Sequence, residues 1–192
     1  RQIVSNNKSN KIGSMLADGA IKLEAAGVDF IVMPCNTAHM FSDDVKAEIN
    51  IPFIDIVDET INEITEYFSD KVSIGIMATT ACINAKIYQE GLSHKGKTCL
   101  LPDNHYQDEC MKGIFSIKEG SNLLDPSVTL SSVANHLVDK GAEIIIAGCT
   151  EIPLVLENKD LEVPLVSSTE VLAIKTIEYA NHLTIKRNYN KE

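Results

Sequence analysis

The segment Gly27-Val-Asp-Phe-Ile-Val-Met-Pro-Cys35-Asn-Thr aligns without gaps on Gly141-Ala-Glu-Ile-Ile-Ile-Ala-Gly-Cys149-Thr-Glu. Each copy opens on a glycine able to stop a helix and has an acidic residue two places on. At least three apolar residues follow, and a cysteine stands eight places after the glycine. A second short apolar segment comes after each copy, Ile51-Pro-Phe-Ile-Asp55 in the first and Val163-Pro-Leu-Val-Ser167 in the second. Short, near-continuous apolar runs mark strands covered on both faces, as in parallel sheets. The correspondence is too long to come from composition. It predicts two similar α/β halves, each placing one cysteine where a strand ends and a helix begins.

Periodicity supplies the rest of the frame. Helices are expected over residues 10–26, with Asn10 as cap, then in a polar stretch to about 50, and over 58–68, 82–91, 104–118, 126–140 and 169–183. The face of the first carries Ile12, Met15, Leu16, Ala20 and Leu23. Strands are expected at 29–34, 53–56, 72–77, 98–101, 144–147 and 165–166. Strands alternating with helices imply βαβ crossovers and parallel sheets, an α/β fold.

Composition removes several function classes. Hydrophobic residues make up 44% of the 192, enough for a buried core, and the net charge is −10. So acidic a surface repels phosphate backbones and argues against nucleic acid as a partner. A small anion is not excluded, because a local cluster of cations or N–H groups can outweigh the mean field. No apolar run exceeds four residues, so neither a membrane span nor a signal core is expected. The five cysteines are odd in number and lack CxxC spacing, which points away from disulfides and zinc and toward the cytoplasm. Of the histidines, His94, His105, His136 and His182 show no ligand spacing, so no metal is expected. His39, four after Cys35, reads as a packing residue or a catalytic one.

In parallel sheets ligands gather beyond the carboxyl ends of the strands, where the next helix offers free N–H groups. A thiol there is expected to have its pKa drawn from about 8.5 into the range of roughly 3.5–7.5. A lone cysteine after an apolar strand is more often a small buried hydrophobe. Two at equivalent positions of a repeat point instead to chemistry, while Cys82, Cys99 and Cys110 have no counterparts and read as structural. Two opposed thiols suit inversion of a carbon centre, one removing a proton from one face and the other delivering a proton to the opposite face. Backbone N–H groups of Asn36, Thr37, Thr150 and Glu151, with the Asn and Thr side chains, are candidates to hold the substrate carboxylate. Glu151 is equally a helper of Cys149 or only a cap. A binder of small carboxylic acids and a thiol redox protein stay open as other classes.

Met33-Pro-Cys-Asn-Thr-Ala-His39 with Gly148-Cys-Thr-Glu-Ile-Pro-Leu154 resembles the aspartate/glutamate racemase superfamily, and Glu-Ile-Pro resembles its aspartate (amino-acid) racemase branch. The resemblance runs over essentially the whole chain. It implies a pyridoxal-phosphate-independent racemase of aspartate or a related acidic amino acid. Cys35 and Cys149 would be the acid/base pair, no cofactor would be needed, and the assembly would be a homodimer. Lys118 matches a family lysine near the substrate, Thr79-Thr80 the family's Ala-Thr-Thr turn, and Arg1 the substrate-binding arginine. Glutamate racemase, hydantoin racemase, maleate isomerase and decarboxylase chemistry are the alternatives within the superfamily. Two pseudo-symmetric three-layer subdomains are expected, with the active site in the cleft between them. Residues 1–56 with 160–192 form the first and residues 57–159 the second. The family's opening strand, turn, helix and strand precede Arg1 and are expected to be missing from the first subdomain, in keeping with a chain that starts without Met.

Overall fold

The computed structural model describes residues 6–120 and 124–189. Helix α1 (Asn6–Ala25) leads to strand β1 (Ile31–Val32), a 3-10 helix (Thr37–Phe41) and α2 (Ser42–Glu48). Strand β2 (Phe53–Ile54), α3 (Ile56–Tyr67), β3 (Ser73–Ala78), α4 (Thr80–Asn84) and α5 (Ile87–His94) follow. Next come β4 (Thr98–Leu100), α6 (Asn104–Lys118), α7 (Leu124–Asp139) and β5 (Ile144–Gly148). Two 3-10 turns (Ile152–Leu154 and Asn158–Asp160) precede β6 (Leu165–Ser167) and α8 (Ser168–Tyr189).

All strand pairs are parallel. β1 pairs with β2, and a four-stranded sheet runs in the order β4-β3-β5-β6. Side chains alternate across that sheet, as the twofold period of a strand requires. Ile74, Ile76, Ile144 and Ile146 face a core with Ile61, Ile64, Tyr88, Leu92 and Leu172, on helices α3, α5 and α8. Met77, Ile145 and Ala147 face another with Ile114, Leu130, Val133 and Leu137, on α6 and α7. The result is a three-layer α/β/α arrangement around β3 and β5, whose central residues are fully buried. Among the described residues no helix is long and apolar enough to cross a membrane.

The repeat is visible in the backbone. Gly27 (φ +84°) and Gly141 (φ +94°) both adopt the left-handed conformation that closes α1 and α7, which side chains disfavour. Ile31 and Val32 pair with Phe53 and Ile54 just as Ile145 and Ile146 pair with Leu165 and Val166. Asp55 ends the first pair and accepts the Val57 and Asp58 N–H groups at the start of α3. Its counterpart Ser167 accepts the Glu170 N–H at the start of α8.

Several expectations need correction. Helix α1 spans Asn6–Ala25 among the described residues, so Asn10 lies inside it rather than capping it. Apolar periodicity starts only at Ile12 and leaves the polar opening turn without a signal. Leu16 and Ala20 pack toward β1, whereas Met15 and Leu23 are exposed. The stretch 82–91 is not one helix but breaks between α4 and α5 at Lys86, whose φ of +54° is left-handed. No α-helix starts directly after either cysteine. A 3-10 helix follows Cys35, and only a three-residue turn containing Pro153 follows Cys149. Strand β6 hydrogen-bonds to β5, and α8 packs on β2, β5 and β6.

Candidate active site

Cys35 stands three residues beyond β1 and is exposed; Cys149 is the first residue beyond β5 and is buried at 7% exposure. Side-chain hydrogen bonds tie the Cys35 turn to β5, which leads to Cys149, and to the end of β3. The Asn36 amide donates to Ser168 Oγ (3.0 Å), and Ser168 Oγ donates to the carbonyl of Ala147 (2.9 Å), two residues before Cys149. Asn36 also accepts from the Tyr88 hydroxyl, at the centre of the core. A second link joins Thr37 Oγ1 to Thr79 Oγ1 at 2.8 Å. Thr79 follows Ala78, which is in register with Gly148 on β5. The carboxyl ends of β1, β3 and β5 are thereby drawn to one locus, where a parallel sheet presents its ligand site.

Around Cys149 a charged relay is built. The thiol donates to Glu151 Oε2 (3.0 Å), Thr150 Oγ1 donates to the same oxygen (3.2 Å), and Lys118 Nζ lies 3.1 Å from Glu151 Oε1. Burial raises the Glu151 carboxyl, but bonds from Cys149 and Lys118 outweigh it and hold the group below the usual carboxylate range. For Cys149 the balance runs the other way. Burial first, then the hydrogen bond to the Glu151 anion and its charge, push the thiol up to about 12. The expectation that a helix start lowers this thiol is therefore wrong, because a three-residue turn offers no helix dipole and an anion stands beside the sulfur. Cys82 and Cys110 are buried in the core and pushed up to about 12, chiefly by burial.

A family model described as Asp/Glu/Hydantoin racemase matches residues 2–176. The chain belongs to that racemase family. It is 35% identical over 162 residues to the broad-specificity amino-acid racemase RacX of Bacillus subtilis, spanning 84% of this chain and 69% of that protein. The glutamate racemase of Aquifex pyrophilus is 30% identical over 158 residues, 79% of this chain and 59% of that one. The crystal structure of an aspartate racemase homologue from Pyrococcus horikoshii superposes with a TM-score of 0.76 at 29% identity, covering 88% of this chain and 74% of that one.

Within this racemase-family chain, the sequence-expected residues fall in three groups. Cys149, Thr150, Glu151 and Lys118 form the relay, and Cys35, Asn36, Thr37 and Thr79 lie on the two linked turns. Asn36 is 2% exposed, and its side chain bonds to Ser168 and Tyr88. Thr80 is exposed, its hydroxyl accepting from Gln107 Nε2 (3.2 Å) and its N–H donating to Met111 Sδ (3.2 Å). Arg1 lies outside the described residues. Among the described residues no group of three or more His, Cys, Asp or Glu is placed to hold a metal ion. The sequence reading missed Tyr88, Ser168 and Gln107. A signal was available for Ser168, which adjoins the residue aligned with Asp55; none exists for Tyr88, 52 positions from its partner.

Proposed function

We propose that the protein is a cofactor-independent amino-acid racemase acting on aspartate or a related acidic amino acid, with Cys35 and Cys149 as its two acid/base groups. The relay Cys149–Glu151–Lys118 is the observation that supports this reading most strongly. It keeps Cys149 as a thiol, ready to donate a proton, and orients that thiol through the Glu151 carboxylate. In one direction the Cys35 thiolate removes the α-proton and Cys149 protonates the opposite face of the carbanion. In the other, the Cys149 thiolate that this leaves abstracts the α-proton while the Cys35 thiol delivers one to the opposite face. Each half-turn leaves the shared proton on the opposite side, and the next turnover starts from there or after exchange with solvent.

Substrate charge has candidate partners in this arrangement. Lys118, bound to Glu151, has ammonium hydrogens left for a carboxylate, and Thr37, Thr79 and Thr150 offer hydroxyls at the linked turns. Arg1 is the proposed partner of the distal carboxylate. A homodimer, a cytoplasmic setting and the subdomain division at residues 56/57 and 159/160 belong to the same proposal. RacX is named for broad specificity, which favours a second reading with wider substrate acceptance.

Racemisation of a panel of L-amino acids without added cofactor, followed by chiral chromatography, decides between the two. Aspartate or glutamate is expected to turn over at least about tenfold faster than alanine or leucine, the worth of one added charge-assisted contact. Lys118→Ala is expected to erode that preference. Equal rates across the panel support the wider reading, and no racemisation of any member refutes both.

A further inference from the structure

His39 is 5% exposed, and both of its ring nitrogens have backbone partners. Nδ1 donates to the carbonyl of Cys35 at 2.8 Å, while Nε2 accepts the N–H of Ile56, the first residue of α3, at 3.3 Å. Those roles leave one state of the ring, neutral with its proton on Nδ1. Asp55 Oδ1 is 3.5 Å from Nε2, but this carboxylate already accepts from Lys46 Nζ (2.7 Å) and from the N–H groups of Val57 and Asp58. Asp58 faces the ring more distantly, and Asp43, Lys86 and Glu90 line the same cavity of about 420 Å³. Burial holds His39 below the ordinary histidine value, with the charge of Asp55 opposing.

The Cys35 turn is pinned on both sides of its exposed sulfur. Its N–H donates to the Met33 carbonyl (2.8 Å) and its carbonyl accepts from His39. The second turn lacks the imidazole: Pro153 stands four places after Cys149, the Ile152 N–H donates to the Cys149 carbonyl (3.1 Å), and the carboxylate of Glu151 holds that sulfur directly. The two thiols are thus oriented by different means, one by a carboxylate on the side chain and one by an imidazole on the backbone.

Resting on the two-thiol reading above, we propose that neutral His39 is a positioning residue for Cys35, clamping the Cys35 carbonyl to the first turn of α3 and so setting where the exposed thiol points. It touches no reacting atom. Displacing a reacting group by about an ångström costs on the order of a hundredfold in rate.

The test compares His39→Phe, which keeps the ring volume and loses both bonds, with His39→Asn, whose amide can restore the donor to the Cys35 carbonyl. His39→Phe is expected to lower kcat about 10- to 100-fold with little change in KM, and His39→Asn to recover most of it. The readout that a merely structural role leaves untouched is the primary isotope effect with α-deuterated substrate. It should rise in the direction in which Cys35 abstracts and fall in the other, because only one of the two proton transfers has been slowed. Should His39→Phe not fold, His39→Gln makes the same comparison. Isotope effects that stay alike in both directions, or wild-type kcat in His39→Phe, overturn the positioning role while leaving the two-thiol reading standing. A wild-type protein unable to racemise removes both.

Discussion

At the scale of single residues, the two sulfurs differ more than their places in the repeat would lead one to expect. Cys149 is buried against a carboxylate and pushed up to about 12, whereas Cys35 is exposed. Replacing Glu151 by Gln removes the anion and leaves the burial, so the Cys149 thiol should titrate lower. Alkylation of Cys149 at pH 9, followed by peptide mapping, should accelerate while racemisation falls about 100-fold, because the anion that keeps Cys149 protonated and oriented as the proton donor is gone. Unchanged alkylation would remove Glu151 from the control of that sulfur. His39 carries a second pH signature. Its folded pKa lies below the unfolded value near 6.5, so the stability it contributes is complete above that value and is lost as pH falls through the lowered one. Urea midpoints of the wild type should therefore decline between pH 7.5 and 5 more steeply than those of His39→Phe, and parallel declines would contradict the neutral, buried ring.

Among elements, the paired strands and their capping residues carry the repeat. Asp55 and Ser167 occupy matching ends but do unequal work, since Asp55 also holds Lys46 across a 2.7 Å ion pair. Asp55→Ala should cost about 2 kcal/mol, through the lost cap and the loss of the nearer partner of Lys46, which keeps Asp58 at 3.7 Å. Ser167→Ala should cost about 1 kcal/mol or less, the worth of a cap alone. Urea unfolding of the two variants measures the difference, and equal losses would mean that the Lys46 pair contributes nothing. The strands themselves were legible in the sequence because a strand buried on both faces must read as a continuous apolar run, as Ile144–Gly148 does. The turns after the two cysteines were not legible. A 3-10 turn has too few residues to show a period, and the break at Lys86 uses a left-handed lysine where glycine or asparagine would have left a mark. The relay was half legible, since Cys149 and Glu151 are two residues apart, whereas Lys118 came from a resemblance and not from spacing. The Asn36 bonds were illegible: they cross 52 and 132 positions, and long-range pairs of single polar residues leave no local pattern.

For the whole molecule, a chain of net charge −10 is proposed to bind an acid, and local geometry is what makes that feasible. Two hydrogen-bond chains, through Asn36–Ser168–Ala147 and Thr37–Thr79, draw the ends of β1, β3 and β5 together, with Lys118 beside Glu151 at the rim. The central claim is that two thiols, one from each copy of the repeat, share the proton transfer at the α-carbon. Incubation of L- and D-aspartate with protein in D₂O, with α-deuterium read by mass spectrometry alongside optical rotation, tests it directly. Wild-type protein should incorporate α-deuterium from either enantiomer as rotation decays. Cys35→Ser and Cys149→Ser should each abolish inversion, and any residual exchange should begin from only one enantiomer, opposite in the two variants. Full racemisation by either single variant would contradict the account.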